Sequence, residues 1–439
     1  WTLRIFVILG LVALSNFLYW FFDKDHIGYA PLFWVLAFAF GFRILKILHE
    51  WYHYISMTEP ARPASTREWK VDMITTYVPG EPYDMLLETL EAMVNVRYPH
   101  KVYLCDEGND PFLIEKCKEL GVVHSYRGPI KTNAKAGNVN YCLEHHCDGE
   151  IAVILDPDHV PSSAFLDRVL PFFEDDEIGF VQCIQAYKNR NESFIAKGAA
   201  EQTYHFYGPM MMSMNSYGTV QAIGANCSFR RAALDSIGGH MPGLSEDMHT
   251  AMRLHAKGWK SVYVPEALTR GLVPATLSGY YAQQLKWSRG SFDLLAHVVP
   301  KLIKDFTWRQ AIHYILIPLY FLSGLIGLID ISVPILALIT GQSPWHVEMV
   351  ELLQAALPLL LLTVIIRQYV QRFVLEEHER GFHFMGGALL FGTWWITLIG
   401  LIYTYFRVKV TYIPTPKDEE KVWPQSFMDY LSIGVHTAW

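Results

Sequence analysis

Two aspartates, Asp156 and Asp158, stand one residue apart directly after the apolar run Ile151-Ala152-Val153-Ile154-Leu155. One interpretation is an Asp-Pro turn whose carboxylates are solvated, because Asp and Pro are both turn residues. The other is a metal site, because paired carboxylates can hold Mg²⁺ or Mn²⁺, hard cations that prefer oxygen and phosphate ligands. The rest of the sequence distinguishes between these two interpretations.

Three further stretches carry residue types that could do chemistry. Ser245-Glu246-Asp247 precedes a helical pattern from 248 to 258. A carboxylate there could act as a general base, or could simply interact favourably with the helix dipole. Lys135 stands at the start of a predicted helix, whose free N–H groups favour anions. Gln283 to Trp287 is an amphipathic stretch just before an apolar segment.

Most of these residues lie between about 70 and 275, where the sequence shows a regular pattern of secondary structure. Strands and helices alternate, which predicts a mostly parallel sheet with helices on both faces. Such sheets bind ligands at the carboxyl ends of their strands, where Asp106 and Asp156 stand. The predicted strands are 71–77, 101–105, 121–126 and 151–155, and the predicted helices are 84–95, 111–120 and 134–146.

Apolar segments flank this region on both sides. The chain of 439 residues is 51% hydrophobic and 18% charged, which is too apolar for an ordinary soluble protein of this size. Membrane helices are predicted at 1–22, 30–48, 311–341 and 352–366. Basic residues follow the second and fourth segments, so those ends should face the cytoplasm.

A fifth apolar segment, 385–406, has basic residues on both flanks. A spanning helix should show asymmetry, so this segment is predicted to lie in the membrane interface, with Trp394 and Trp395 at that depth. A true span is the alternative. The chain begins at Trp1 inside an apolar run, which predicts a piece of a longer protein.

Charge and cysteine content argue against nucleic-acid binding, a disulfide framework and a zinc site. The net charge of −7 argues against nucleic acid as a partner, because that requires a basic footprint. The six cysteines are irregularly spaced, which favours reduced thiols over a disulfide framework. The cluster Cys142-Leu143-Glu144-His145-His146-Cys147 lacks the paired spacing of a zinc site.

Taken in order, six motifs resemble the membrane-embedded processive family-2 glycosyltransferases, the group of bacterial cellulose, curdlan and hyaluronan synthases. The likeness is closest to the catalytic subunit of cellulose synthases. Four positions depart from the family pattern: Lys286 where Arg is usual, Ser245 where Thr is usual, Pro414 where Val is usual, and Asp418 where Gly is common. Lys286 keeps the charge but loses the bidentate fork for phosphate. The motifs are Asp106, Lys135-Ala136-Gly137-Asn138, Asp156-Pro157-Asp158, Ser245-Glu246-Asp247, Gln283-Gln284-Leu285-Lys286-Trp287 and Tyr412-Ile413-Pro414-Thr415-Pro416-Lys417.

The resemblance implies a GT-A-like α/β domain, related to the Rossmann fold, together with a transmembrane helical bundle and interface helices. It places this domain in the cytoplasm and the helices in a bacterial inner membrane. The implied domains are 1–59 with two transmembrane helices, 60–275 with the α/β domain, 276–308 with interface helices, 309–370 with two transmembrane helices, 371–411 with a loop and an interface helix, and 412–439 with a gating-loop-like segment.

The implied activity is inverting polymerisation of a β-glucan from UDP-glucose, with passage of the product through the membrane. The linkage stays open between 1,3, 1,4 and mixed. Alternatives are a synthase that uses UDP-N-acetylglucosamine and a non-processive transferase to a lipid carrier. A third alternative is a transporter with a regulatory nucleotide-binding domain, but such a protein would not need the catalytic carboxylates. The implied partners are the UDP-sugar, the growing polysaccharide and the bilayer; an accessory subunit stays open, and no nucleic acid is expected.

Each site residue follows from the same resemblance. Asp247, with Glu246, is implied as the catalytic base, and Asp156 with Asp158 as the ligands of Mg²⁺ or Mn²⁺. The acceptor sugar is expected on Trp287, Cys227 and His249, of which Trp287 offers a flat ring or is merely an interfacial tryptophan. Donor contacts are implied for Thr76, Tyr77, Glu81, Asp106, Lys135, Asp156, Gln283, Lys286, Thr415 and Lys417.

Overall fold

The computed structural model describes residues 1–373 and 376–408. The chain starts with two apolar helices, α1 Thr2–Phe21 and α2 Ala30–Tyr54. They are joined by a short polar turn in which the Asp23 carboxylate accepts a hydrogen bond from the Asp25 N–H. Pro31 occupies the first turn of α2, where a missing N–H costs nothing because that donor has no partner inside the helix.

The α/β domain is built on one large sheet and one small sheet. The large sheet has the strand order β3-β2-β1-β4-β8-β6-β9, and the small one β5-β10-β7. In the large sheet β8 runs antiparallel to both neighbours, and the other neighbouring pairs are parallel. The prediction of a mostly parallel sheet is therefore confirmed. The strands are β1 Val71–Tyr77, β2 Lys101–Asp106, β3 Val123–Ser125, β4 Ile151–Leu155, β5 Val160–Pro161, β6 Ile178–Cys183, β7 Ala186–Tyr187, β8 Asn226–Arg230, β9 Lys260–Val264 and β10 Thr269–Gly271.

Strand β4 shows why the sheet carries a core on both faces. All five of its residues are buried, as expected of a central strand covered on both sides. Because side chains alternate along a strand, Ala152 and Ile154 join one apolar cluster, whereas Val153 and Leu155 join the other. The strand therefore ends deep in the domain, and the aspartates that follow it are held at a defined position.

Helices α3 to α10 belong to this domain; α3, α4, α5, α8 and α9 pack on strands of the large sheet, whereas α7 packs on the helix 384–392. The predicted apolar face of α3 is confirmed, since Met85, Leu86, Leu90 and Met93 are all buried. Helix α4 is capped at its start by Asp110, whose carboxylate accepts a hydrogen bond from the Phe112 N–H at 2.9 Å. It is capped at its end by Gly121, which has φ of 71°. The helices are α3 Tyr83–Val94, α4 Pro111–Leu120, α5 Ala134–His145, α6 Phe165–Val169, α7 Phe194–His205, α8 Met211–Tyr217, α9 Arg231–Ile237 and α10 Glu246–Ala256.

The second half of the chain is helical. Among the described residues, four helices are long and apolar enough to cross a membrane: 2–21, 30–54, 308–340 and 349–373. They correspond to the four predicted membrane segments, and α1 packs on α15 while α2 packs on α14. The helices after α10 are α11 Leu277–His297, α12 Val299–Leu302, α13 Trp308–Leu319, α14 Ser323–Thr340, α15 Met349–Val370, α16 Phe384–Gly392 and α17 Trp394–Tyr405.

The fifth apolar segment forms two helices, α16 and α17, which meet at 48°. They amount to a fifth span only if the bent pair is counted as one, so the interfacial placement stays a prediction. Within the second helix, Trp395 is 4% exposed and packs edge-on against Tyr281 of α11 at a centroid distance of 5.5 Å, so its ring contacts protein.

Candidate active site

The two aspartates after β4 converge on one point. The Asp156 N–H donates to the Ala225 carbonyl at 3.0 Å, and the His159 N–H donates back to the Asp156 carbonyl, which closes a tight turn. Asp158 is buried, and its Oδ2 accepts from the Leu272 N–H at 3.1 Å. The ligand atoms of Asp156, Asp158 and His159 all lie within 4.8 Å of one another. The turn therefore exists, and it brings both carboxylates to the same side.

Lys135 sits against the first of these carboxylates. It lies at the start of α5, after Asn133 and Ala134, which both have positive φ and turn the backbone sharply. Its ammonium forms an ion pair with Asp156 and donates to the Gly224 carbonyl at 3.0 Å. Burial is the largest influence and acts to raise the pKa of Asp156, but the charge and hydrogen bond of Lys135, together with His159, hold that pKa below its ordinary value. Asp156 is therefore ionised at neutral pH.

The pKa of Asp247 is shifted in the opposite direction to that of Asp156. It lies in the first turn of α10, where its Oδ1 accepts from the Met248 N–H at 2.7 Å. Burial and the neighbouring negative charge of Glu246 raise the pKa of Asp247 to about 7, against the smaller effects of Lys135 and Lys286. A carboxylate with this pKa exchanges a proton near neutral pH.

Gly224 allows the backbone to pass close to Asp247. It has φ of +73°, and a Cβ at this position would lie 3.0 Å from the Asp247 Oδ2. A larger residue would therefore be strained in its backbone and crowded against the carboxylate. The same glycine accepts the Lys135 hydrogen bond through its carbonyl, so one turn contacts a residue from each acidic site.

Helix α11 brings the third motif to the site. Its first turn is capped by the Thr276 hydroxyl, which accepts from the Gly279 N–H at 3.3 Å. Gln283, Lys286 and Trp287 are spaced i, i+3 and i+4, so they lie on one face of the helix. All three line the cavity that Asp156 and Asp247 also line.

This cavity of about 420 Å³ continues from the α/β domain into the apolar helices. Asp156, Asp158 and Asp247 line it on the domain side. On the other side its wall consists of residues from α2, from the end of α7 and the residues that follow it, from the segment around the α13–α14 junction and from α15. Sequence reasoning missed this second group, which includes Phe42, Leu45, Lys46, His49, Glu50, His205, Tyr207, Tyr320, Phe321 and Arg367.

Four predicted donor residues lie beside this cavity rather than in its wall. Tyr77 pairs in register with Asp106 at the ends of β1 and β2, Thr76 is the preceding residue, and the Glu81 carboxylate accepts from the Val78 N–H at 2.8 Å. The Asp106 carboxylate accepts from the Gly108 and Asp110 N–H groups, both at 2.6 Å. Although burial works against it, these bonds and His124, 3.0 Å away, keep the pKa of Asp106 low.

Two predicted acceptor residues do not reach the cavity wall. Cys227 is 1% exposed on β8, between Ile154 and Gln182, and belongs to the core. His249 lies on α10, and its Nδ1 is 3.1 Å from the Pro242 carbonyl. The acceptor contacts of Cys227 and His249 stay predictions.

Other predictions concern thiols and the end of the chain. All six cysteines are free thiols, as predicted from their spacing. Among the described residues, the groups able to hold a metal do not include the Cys142–Cys147 cluster. Thr415 and Lys417, with the whole 412–417 segment, lie outside the described residues.

Two protein families match the part of the chain that carries this site. The profile of the "Glycosyltransferase like family 2" matches residues 73–290, and that of "Cellulose synthase" matches residues 235–382. The chain is 28% identical over 306 residues to cellulose synthase 1 of Komagataeibacter xylinus, covering 67% of this chain and 20% of that protein. It is 27% identical over 377 residues to the UDP-forming cellulose synthase catalytic subunit of Pseudomonas fluorescens, covering 80% of this chain and 50% of that protein.

The chain thus spans between 20% and 50% of the length of these two curated relatives. Among solved structures, a glucosyl-3-phosphoglycerate synthase from Mycobacterium tuberculosis in complex with Mn²⁺ and UDP-glucose matches with a TM-score of 0.39 and 14% identity, covering 54% of this chain and 86% of that one. The two profiles overlap on the Ser245-Glu246-Asp247 and Gln283–Trp287 motifs, and together they extend across the acidic sites and into the apolar helices. The chain therefore belongs to the family-2 glycosyltransferases, close to the cellulose synthases.

Proposed function

We propose that the chain polymerises a β-glucan from UDP-glucose by an inverting displacement and passes the product between its apolar helices. One observation carries this proposal: a single cavity has both acidic sites in one wall and residues of α2 and α15 in the other. The relatives named as UDP-forming cellulose synthases support glucose as the donor sugar.

The donor site in this proposal includes a divalent cation, Mg²⁺ or Mn²⁺, held by Asp156 and Asp158. The fit rests on the donor set, because two ionisable carboxylates converge and carboxylate oxygens are the ligands that these cations prefer. When bound, the cation would neutralise charge on the leaving diphosphate. His159, whose Nδ1 lies 3.2 Å from the Asp158 Oδ1, orients that carboxylate.

The two lysines of the cavity add positive charge for the donor. Lys135 keeps Asp156 ionised, which any cation site at that carboxylate requires. Lys286 reaches the cavity from α11, where an ammonium can bind a diphosphate as a point charge.

Asp247 is the proposed general base. Its pKa of about 7 suits a group that takes a proton from the acceptor hydroxyl near neutral pH. The hydroxyl oxygen forms a bond to the anomeric carbon of the donor while the bond to the diphosphate breaks, and the proton goes to the Asp247 carboxylate. A single displacement of this kind converts an α-linked donor into a β-linked product. Trp287 offers the acceptor ring a flat apolar face.

The proposed setting is the inner membrane of a bacterial cell, with the α/β domain in the cytoplasm. Basic residues stand where α2 and α15 meet the domain, among them Lys46 and Arg367, as the positive-inside rule predicts for a cytoplasmic side. The cavity that the product would leave through lies between these same helices. The position of this cavity between α2 and α15 is the observation that supports translocation of the product.

A donor screen tests the proposed function. Membranes containing the chain are supplied with radiolabelled UDP-glucose or UDP-N-acetylglucosamine, and the product is analysed for sugar, length and linkage. We expect a polymer of β-linked glucose, made from UDP-glucose alone. Incorporation from UDP-N-acetylglucosamine instead, or transfer of a single sugar to lipid, would contradict the proposal.

A further inference from the structure

Three histidines form a cluster where the apolar helices meet the α/β domain, and the reaction proposed above does not use it. His49 and His53 lie in the last two turns of α2, and His313 lies in α13. One ring nitrogen from each lies within 4.8 Å of the other two. The His49 and His53 ring centroids are 4.4 Å apart, and those of His53 and His313 are 6.1 Å apart.

The hydrogen bonding of the cluster is incomplete. His313 is 2% exposed, yet neither of its ring nitrogens has a hydrogen-bond partner. The His49 Nε2 is also buried without a partner. Buried polar groups are nearly always paired, so three unpaired ring nitrogens on two neighbouring histidines point to a missing ligand.

His53 has the arrangement expected of a metal ligand. Its Nδ1 lies 2.8 Å from the His49 carbonyl and donates a hydrogen bond to it, which leaves the lone pair on Nε2. Metal-binding histidines usually hold their second ring nitrogen in this way, because it fixes the tautomer and the ring orientation.

The sequence of α2 adds a second observation. His49-Glu50-Trp51-Tyr52-His53 matches H-E-x-x-H, in which two histidines one helical turn apart bind zinc. Glu50 does not belong to the cluster, because its carboxylate accepts a long hydrogen bond of 3.4 Å from the Tyr54 hydroxyl. The geometry therefore supports metal binding and gives no basis for hydrolysis.

We propose that His49, His53 and His313 bind a transition-metal ion of the zinc class and so fasten α2 to α13. Three imidazoles without a carboxylate favour Zn²⁺ and related borderline ions over Mg²⁺ or Mn²⁺. The site is thus distinct in chemistry from the Asp156–Asp158 pair, although His49 also lines the cavity. This inference does not depend on the proposed function, because it can be tested without any sugar donor.

The test measures zinc in the purified full-length chain. The protein is stripped with a chelator, incubated with Zn²⁺ in the presence of excess Mg²⁺ to occupy the carboxylate site, and desalted before metal analysis. We expect about one zinc per chain. His53→Gln and His313→Gln should each weaken zinc affinity at least about 100-fold, since even the loss of an outer-sphere partner costs about 10- to 100-fold.

Two control variants separate this site from other histidines and from the carboxylates. His255→Gln changes a buried histidine whose ring nitrogens lie 2.6 Å from the Tyr314 hydroxyl and 2.9 Å from the Ser261 hydroxyl, and it should retain zinc. The Asp156→Asn/Asp158→Asn variant should also retain it. If the wild type holds no zinc, or if zinc is lost in the aspartate variant and kept in the histidine variants, the inference is overturned.

A spectroscopic measurement on the wild type covers the case in which the histidine variants do not fold. X-ray absorption at the zinc edge should show three imidazole nitrogens at about 2.0 Å. A coordination shell made only of oxygen would assign the metal to the carboxylates and overturn the inference.

Discussion

Asp156 and Asp247 lie in the same cavity wall but differ in their affinity for protons. Burial acts on both in the same direction, because it disfavours the charged carboxylate. Asp156 has the Lys135 ammonium in direct contact, whereas Asp247 has the negative Glu246 beside it in sequence. The first carboxylate therefore stays ionised, and the second has a pKa of about 7.

The difference shows that neighbouring charges, not residue type, set the protonation state of each carboxylate. A carboxylate that stays ionised can hold a cation, and one that titrates near neutral pH can accept a proton. The two carboxylates obtain these environments from different elements. The end of β4 places Asp156 next to Lys135 of α5, whereas the first turn of α10 places Glu246 and Asp247 side by side.

The largest expected effect follows from removing the base. Asp247→Asn should lower the polymerisation rate about 10²- to 10⁴-fold, because an amide cannot accept the hydroxyl proton. Sugar incorporation from radiolabelled UDP-glucose measures this rate. Asp235→Asn is a matched control, because Asp235 pairs with Arg231 on α9 and lies outside the cavity, so its rate should be unchanged. If Asp247→Asn keeps more than about a tenth of the wild-type rate, Asp247 is not the base.

Removing the cation should have the next largest effect. EDTA should lower the rate at least about 100-fold, since a bound cation contributes several kcal/mol to stabilising the charge of the transition state. Mg²⁺ or Mn²⁺ added back in excess should restore the rate. Asp158→Asn should stay slow after the cation is restored. A fully active chelated enzyme would contradict the assignment of Asp156 and Asp158.

Lys286 should contribute less than either acidic site. Lys286→Ala should lower kcat/KM for the donor about 10- to 100-fold, in line with about 1.5–3 kcal/mol for hydrogen bonds to charged groups. Lys286→Arg restores the residue usual in the family and keeps the charge, so it should lower kcat/KM much less than Lys286→Ala does. Donor-dependent initial rates distinguish the two. Equal losses in both variants would mean that shape rather than charge matters at this position.

The smallest expected effect is a shift in the pH profile. The rate should rise with pH through about 7, because Asp247 acts as a base only when its proton is lost. Glu246→Gln removes a neighbouring negative charge, which makes proton loss easier and moves the midpoint to lower pH. Glu144→Gln, an exposed change on α5, should leave the midpoint in place. A midpoint that Glu246→Gln leaves unchanged or raises would disprove the coupling of the two acids.

Local sequence patterns predicted most of the α/β domain and the positions of its acidic motifs. The strands through β4 and helices α3 to α5 were predicted from their apolar patterns, which act within a few residues. The observed bounds of α4, at Asp110-Pro111 and Gly121, are set by equally local signals. The strand ends carry Asp106 and Asp156 as predicted, because parallel strands direct their carboxyl ends to one edge.

Contacts between distant segments were not predictable in the same way. β8 inserts antiparallel between β4 and β6, and this pairing buries Cys227 in the core. Trp395 packs on Tyr281, which lies more than a hundred residues earlier. An apolar pattern indicates that a side chain is buried but not against which partner. For the same reason no local pattern indicated that Arg367 and Tyr320 would line the cavity with Asp247.

A side-by-side measurement of donor binding and turnover tests the division of roles most directly. UDP-glucose binding in the presence of Mn²⁺ and the polymerisation rate are measured for wild type, Asp156→Asn and Asp247→Asn. We predict that Asp156→Asn loses the Mn²⁺-dependent part of donor binding together with turnover, whereas Asp247→Asn binds the donor like wild type and loses only turnover. Normal Mn²⁺-dependent binding in Asp156→Asn, or loss of donor binding in Asp247→Asn, would contradict the account.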